Sequence, residues 1–488
     1  MNRTAARLLA AVGVIVVLVG LPLSGARAQI IGARAQISGN WSTYLNSGSR
    51  TGYNGAERLI TPSTAPKLTK LWTKSTGGSI SAEPIQVNGV LYYGSWDGNE
   101  YAVVAATGTR LWSAHLGQTT DPTCFGPTTI GVASTATVGT ITVSGIPTQA
   151  VFVGGGDGSF YALNARTGRV IWKTQLGTPQ DGYFLFSSPV LYNGSIYEGL
   201  GSLGDCPLVR GGMVRMNAAT GMVQNTLYTS PAGCNGADVW GSPTVDTATG
   251  DFYFVTGNAG FCNNPENLAV AVIQTNSSLN LLSSWQVPSA SLPNDDSDFG
   301  STPTLFHASI SGVVHQMVGV QNKNGIYYAL DRSAISRGPV WQQQMADGGE
   351  CPECGDGDIS PSAYDGQHLF VGGAQTQIGG ASCAGSVREL EPATGKTVWA
   401  DCLQSSVLGA VTAVPGVAFV GAGDTAYAVA TSTGATLWSY RDTNGGSDFW
   451  GAPTISGGQV YVGNQDGSLY AFGARYYFTL KSLGVKFW

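Results

Sequence analysis

The chain has 488 residues, of which 69 are glycine and only 11% are charged, whereas an average protein carries roughly 7% glycine and about a quarter charged residues. That mixture, with 10% aromatics, excludes a helical protein of this size and suits many short strands joined by tight turns. A formal net charge of −6 without any run of Lys or Arg excludes an electrostatic footprint for nucleic acid or anionic lipid.

At the N-terminus, Arg3 and Arg7 precede an apolar run from Leu8 to Leu23, and Ala26-Arg27-Ala28 places small residues at a cleavage site. Residues 1–28 are therefore expected to be a signal peptide that sends the chain out of the cytoplasm, with Ala33-Arg34-Ala35 as a second candidate cut. The alternative is a retained anchor, but the run is short for a spanning helix, and no later segment is apolar enough to cross a bilayer. Residues 29–61 read as an irregular lead-in.

From residue 62 to residue 474 the chain repeats itself. The unit Val90–Gly98, Glu100–Gly108, Arg110–Trp112 returns as Val151–Gly158, Phe160–Gly168, Val170–Trp172. Parts of it return at Arg388–Gly395 with Trp399 and at Ala426–Gly434 with Trp438. Each unit is strand, turn, strand, turn, strand: the residues alternate with period two, Asp-Gly suits a two-residue hairpin, and Thr-Gly marks the next reversal. A further short strand opens each unit, as at Ser81–Pro84, Phe125–Thr128, Trp240–Pro243 and Trp450–Pro453. Eight such openings, roughly 40 to 60 residues apart, predict an all-β, eight-bladed β-propeller. The last unit stops near Phe472 without its closing aromatic, while Lys67–Trp72 is a closing strand with no unit before it. An N-terminal strand that completes the last blade closes the ring and removes its sheet edges. The tail 475–488 matches no repeat.

The trailing tryptophans Trp72, Trp112, Trp172, Trp285, Trp341, Trp399 and Trp438 are expected to wedge between blades. Neither they nor Tyr228, which holds the trailing position of its unit, are expected to contact a ligand. Eight cysteines suit an oxidising compartment, and sequence cannot choose among their pairings. Cys383 with Cys402 can clip one repeat. Cys351-Pro-Glu-Cys354 reads as a local disulfide, since no second CxxC or paired His follows, and it is no haem motif because Gly355 stands where His is required.

A propeller gathers its binding groups beside the innermost strands, so departures from the repeat near the openings are informative. The first is Ala237–Pro243, followed by Val255–Asn258. The second is Pro293–Leu305, followed by Gln321–Arg332. Asp295, Asp296 and Asp298 place three carboxylates within four residues, which repel one another unless solvated or bridged by a cation. Taken alone they read as a hydrated acidic loop, and Lys323 as a surface lysine.

The repeat, with Ala-x-Asn-Ala-x-Thr-Gly-x-x-x-Trp as at Ala162–Trp172, resembles the quinoprotein propellers that bind pyrroloquinoline quinone (PQQ). It is similar in style to the polyvinyl-alcohol-dehydrogenase-like branch and to the quinone-free outer-membrane assembly propellers. The resemblance spans Pro62 to Phe472. It implies that Trp240 is the floor under the quinone, that Asn258 ligates Ca²⁺, that Asp296 and Asp298 fall on the two later aspartates of an acidic run, and that Lys323 contacts the quinone. The implied function is an exported dehydrogenase that oxidises an alcohol or polyol and passes its electrons to a separate acceptor. Asp296 (or Asp298) would be the general base, with Asp296 also a metal ligand. The alternative is a non-catalytic propeller scaffold that binds a protein or glycan at its rim.

The chain also departs from the pattern. No two cysteines are neighbours, so the adjacent-cysteine disulfide that covers the quinone in many relatives has no counterpart. Counting back from Thr220-Gly221 puts Leu208 where the family has a Ca²⁺-ligating glutamate, leaving Asp205 or Glu198 as substitutes. A hydrolase has little support: the four histidines are scattered, and His315 alternates with apolar residues as a strand residue would.

Overall fold

The structure, a computed structural model, describes residues 39–121, 128–260, 262–443 and 447–474. The predicted signal peptide, Cys124 and the tail lie outside the described residues. Eight antiparallel sheets follow one another around a ring, seven of four strands and one, in blade 3, of five because Tyr183–Phe184 also pairs with its second strand. Blades 1 to 4 span residues 85–115, 137–175, 190–228 and 244–286, and blades 5 to 7 span 304–344, 363–403 and 412–441. Blade 8 (residues 454–474) is completed by Leu68–Ser75, which pairs antiparallel with Ser468–Ala474. The ring closes as the orphan strand predicts.

Within a blade the second and third strands are buried on both faces, as in Ala150–Gly154 and Ser159–Leu163, because neighbouring blades cover them. The outermost strands, such as Thr109–His115, are mostly exposed. Their tryptophans do wedge between blades. Trp112 donates Nε1–H to Ala165 O of the next blade at 2.9 Å, Trp172 to Ala218 O at 3.0 Å, and Trp399 to Thr431 O at 2.8 Å. This explains why Thr-Gly recurs with Trp. Gly168 has φ +70°, and a Cβ there would stand 2.7 Å from the Trp112 ring, so the turn needs glycine on both counts.

Two sequence expectations are corrected. In blade 3 the wedge position belongs to Asn225, whose Nδ2–H donates to Ser278 O at 2.7 Å. Tyr228 lies three residues further on, 43% exposed, under the Arg210 guanidinium. Blade 2 does not open at Phe125–Thr128: its inner strand is Thr137–Val143, and Thr128–Ile130 pairs instead with Thr119–Asp121. The proline misleads there, because the true opening, Ser134-Thr135-Ala136, has none.

The innermost strands are tied to one another by the residues that recur in the openings. Thr137 Oγ1–H donates to Pro189 O, Thr244 to Pro303 O and Thr412 to Pro453 O, each reaching the next blade. Where blade 3 carries Val190 in place of threonine, the carbonyl of Pro243 receives Arg50 Nε–H at 2.9 Å instead.

Arg50 belongs to the lead-in, and this segment is a plug. Residues 41–54 walk around the channel in blade order. Trp41 pairs with Gln86 of blade 1, and Ser42 O accepts from Val138 N of blade 2. Gly48, Ser49, Thr51 and Gly52 carbonyls accept from Val245, Leu305, Tyr364 and Ala413 of blades 4 to 7, and Asn54 Nδ2–H donates to Ile455 O of blade 8. Blade 3 is reached by Arg50 Nη2, at 2.9 Å from Ser188 O.

Facing the plug, Glu83 is buried, with Oε2 accepting from Leu45 N at 2.7 Å and Oε1 unpaired. Burial pushes its carboxyl up to about 8, against the opposing pull of the Leu45 N–H and the Arg50 charge. The folded state thus holds a proton that the unfolded chain releases near 4.5. The associated stability is full below about pH 4.5 and is lost as pH rises toward 8. A thermal-melt series should show Tm falling over that window, and Glu83→Gln should flatten part of the fall. An unchanged pH slope in Glu83→Gln would refute the assignment.

Candidate functional site

The segments singled out in the sequence converge at the end of the channel away from the plug. Trp240 precedes the inner strand of blade 4, and Asn258 follows that blade's second strand, Asp251–Val255. Asp296 and Asp298 precede the inner strand of blade 5, and Lys323 follows that blade's second strand, Val313–Gln321. In an antiparallel pair, the start of one strand lies beside the end of the next. Residues far apart in sequence therefore share one rim.

Lys323 Nζ stands 2.7 Å from Asp296 Oδ1, 2.9 Å from Asp298 Oδ1, and 5.4 Å over the Trp240 ring. The Trp240 Nε1–H donates to Asp298 Oδ2 at 3.0 Å, which fixes the plane of the indole. Asn258 Nδ2–H donates to Asp296 Oδ1 at 3.0 Å and to Asp205 Oδ2 at 2.7 Å. Asn258 Oδ1 is buried without a hydrogen-bond partner. Asp298 is buried, whereas the Asp296 side chain is 31% exposed. Asp295 points to solvent.

Asp205 therefore comes to the site from the loop after blade 3's second strand, where counting from Thr220-Gly221 gives Leu208. Leu208 is half-buried three residues further on. Glu198 stands apart, buried and without a hydrogen-bond partner. Reading by residue type alone missed Asp238. It is buried, accepts Ser202 N–H at 2.8 Å, and lies with Asp298 against Gly257, where a Cβ would meet both carboxylates. The one available signal is its place two residues before the Trp-Gly opening.

The electrostatics follow from four acids around one lysine. Loss of solvent around its carboxyl pushes Asp205 up to about 6 although the residue as a whole is exposed, and the charges of Asp296 and Asp298 add to it. Burial pushes Asp238 up to about 7 despite its bond from Ser202. Burial also raises Asp298, with Lys323 opposing. Burial alone would lower Lys323, but Asp298 and Asp296 outweigh it and hold the ammonium charged.

Hard oxygen donors are what Ca²⁺ takes, and Asp205, Asp296 and the unpaired Asn258 Oδ1 supply them. Among the described residues no group of three Asp, Glu, His or Cys side chains forms a ready cage. A cation here would depend on the amide oxygen, with Asn258 turned over so that Oδ1 faces the carboxylates. The donor set fits on those terms. A flat aromatic ring locked by Asp298, with an ammonium above it, likewise suits a planar anionic quinone.

Disulfides frame these loops. Cys234–Cys262 clips the chain on either side of Asp238 and Asn258, and Cys206, beside Asp205, is also disulfide-bonded. The expected Cys351–Cys354 and Cys383–Cys402 bridges are present. His315 lies within a strand and bonds Asp331 at 2.6 Å. Among the described residues, no helix is long and apolar enough to cross a membrane.

The chain matches the family described as outer membrane protein assembly factor BamB over residues 69–334 and 322–475. It is 26% identical to a polyvinylalcohol dehydrogenase of a Pseudomonas species, over 83% of this chain and 70% of that protein. It is 25% identical to the polyvinylalcohol dehydrogenase of a Sphingopyxis species, over 88% and 73%. Among solved structures it is similar to a europium-containing methanol dehydrogenase, with TM-score 0.71 and 18% identity over 89% of this chain and 98% of that one. It is also similar to BamB from Moraxella catarrhalis, with TM-score 0.52 and 12% identity over 84% and 98%. With eight blades, the recurring Trp and Thr-Gly, and a match over most of its length, the chain belongs to the PQQ-like propeller family that carries the BamB description.

Proposed function

We propose that this protein is an exported quinoprotein dehydrogenase, working outside the cytoplasm, that oxidises a neutral alcohol or polyol and hands its electrons to a separate acceptor. One observation carries the reading: Asp205, Asn258, Asp296, Asp298, Lys323 and Trp240 meet on one rim, an arrangement that a scaffold has no need of. The dehydrogenase names of its relatives support it, as do the N-terminal export pattern and the disulfides.

When bound, PQQ would supply the hydride acceptor and Ca²⁺ the polarising charge. Asp205, Asp296 and Asn258 would hold the ion, and Trp240 would carry the quinone plane. Of the two carboxylates paired with Lys323, Asp296 is the accessible one and takes the alcohol proton as general base. Asp298, engaged by Trp240 and Lys323, holds both in place. Lys323 places a fixed positive charge where negative charge develops.

Titration of the purified protein with PQQ, with and without Ca²⁺, tests the reading. Calcium-dependent quinone binding, with dye reduction on adding alcohols and its loss in Asp296→Ala, is the expected result. Absence of quinone binding at high micromolar concentration would favour the second reading, a scaffold that binds a partner at its rim. The BamB family description and the likeness in fold support that alternative.

A further inference from the structure

Each blade presents one residue to the mouth of the channel at the same place in its register. The residues that meet the plug, such as Val245, Leu305, Tyr364 and Ala413, lie five positions after Trp240, Gly300, Ile359 and Leu408. The same count from blades 8, 1, 2 and 3 gives Trp450, Ser81, Ala133 and Phe186. All eight are partly exposed, while the residue after each is buried. Those buried residues touch around the ring: Ser134 Oγ–H donates to Ser187 O and Ser360 Oγ–H to Gly409 O, each at 2.8 Å. A Cβ on Gly451 would stand 3.0 Å from Ala82 O. The eight are thus the rim of one opening, and none is charged.

The rim is uneven. The acids and Lys323 occupy the sector of blades 3 to 5. Ile359, Leu408 and Trp450 make blades 6 to 8 an apolar arc, extended by Trp96, whose ring centroid is 5.8 Å from that of Trp450. The two sectors are continuous because of Gly300. A Cβ there would be 2.0 Å from the edge of the Trp240 indole and 2.7 Å from Ile359 Cγ2. The indole therefore lies across blade 5 and its surface runs on to Ile359. Partly exposed apolar groups continuous with a reaction site are positions where a ligand gains by removing them from water.

We propose that Ile359, Leu408 and Trp450 form a subsite for the hydrocarbon part of the substrate, so that the preferred class is neutral alcohols whose carbon chain extends well beyond the reacting hydroxyl. This rests on the dehydrogenase reading above. Four carboxylates against one lysine disfavour anionic alcohols such as sugar acids.

The test is kcat/KM for dye reduction by the quinone-loaded protein across 1-alkanols from ethanol to 1-octanol. We expect a rise of up to about fourfold per methylene while the chain is filling the arc, and a flatter rise in Leu408→Ser and Ile359→Ser. Leu408→Met, which keeps volume and apolarity, should retain the slope and so controls for folding. A flat profile in the unaltered protein, or an equal loss at every chain length in the serine variants, would overturn the subsite. If no alcohol is oxidised, the dehydrogenase reading fails. The subsite is then judged by saturation-transfer NMR of 1-octanol with quinone-free protein. Transfer to the distal methylenes that weakens in Leu408→Ser sustains it, and no transfer overturns it.

Discussion

Lys323→Ala should lower quinone-dependent turnover about 10²- to 10³-fold, the usual cost of removing one preorganised charge or donor from a site of developing negative charge. Its ammonium is the only basic group paired with Asp296 and Asp298 among the described ion pairs, and its side chain is only 11% exposed. Removing one partner of a buried pair leaves the other uncompensated, which costs about 3–5 kcal/mol. Uptake of a proton by Asp298, whose pKa burial already raises, would reduce that cost. The variant should therefore also unfold at lower urea concentration, and more so at neutral than at acid pH. Turnover per bound quinone separates the two effects: it should fall even in the fraction that remains folded and loaded. Unchanged turnover would remove Lys323 from the chemistry.

The largest effect on stability alone is expected at Arg50→Ala. The guanidinium is fully buried and donates to five acceptors: Pro243 O, Thr43 Oγ1, Tyr44 O, Ser188 O and Pro189 O. Four of these are carbonyls, and of them only Pro189 O has a second donor, Thr137 Oγ1–H; Glu83 and Glu198 also lose the charge of Arg50 beside them. A loss of about 3–5 kcal/mol in urea unfolding is the expected scale. Arg50→Lys should recover less than half, because a single ammonium cannot reproduce the planar fork that reaches two blades at once. A destabilisation below about 1 kcal/mol would mean that water replaces the side chain there.

The fold was legible because its determinants are local and repeated. The Asp-Gly and Thr-Gly turns and the outer-strand tryptophans recur, and all of these tryptophans but Trp438 pack on the next blade's glycine, so finding one predicts the other. The plug left no such trace. Its residues meet six of the blades through backbone groups and only two through side chains, those of Arg50 and Asn54, so no side-chain period marks it, and residues 39–60 read only as irregular. Trp240, Asn258, Asp296, Asp298 and Lys323 were singled out because they fall on motif positions of the family the repeat resembles, and they do share one rim. Asp205 was obscured by the extra length of the loop after Ser202, which defeats counting. Asp238 was obscured because an aspartate becomes notable only once it is known to be buried. Asn225 was missed because an amide can replace the indole's hydrogen bond without resembling a tryptophan.

The circuit of residues 41–54 makes the N-terminal end of the ring answerable to its C-terminal end. Trp41 needs blade 1 and Asn54 needs blade 8, so this stretch can seat only when every blade is in place. It therefore works as a gauge of completeness. A chain cut short anywhere, or one that has gained or lost a blade, would leave some of these backbone groups unmatched, and the first part of the propeller to be synthesised is the last able to settle.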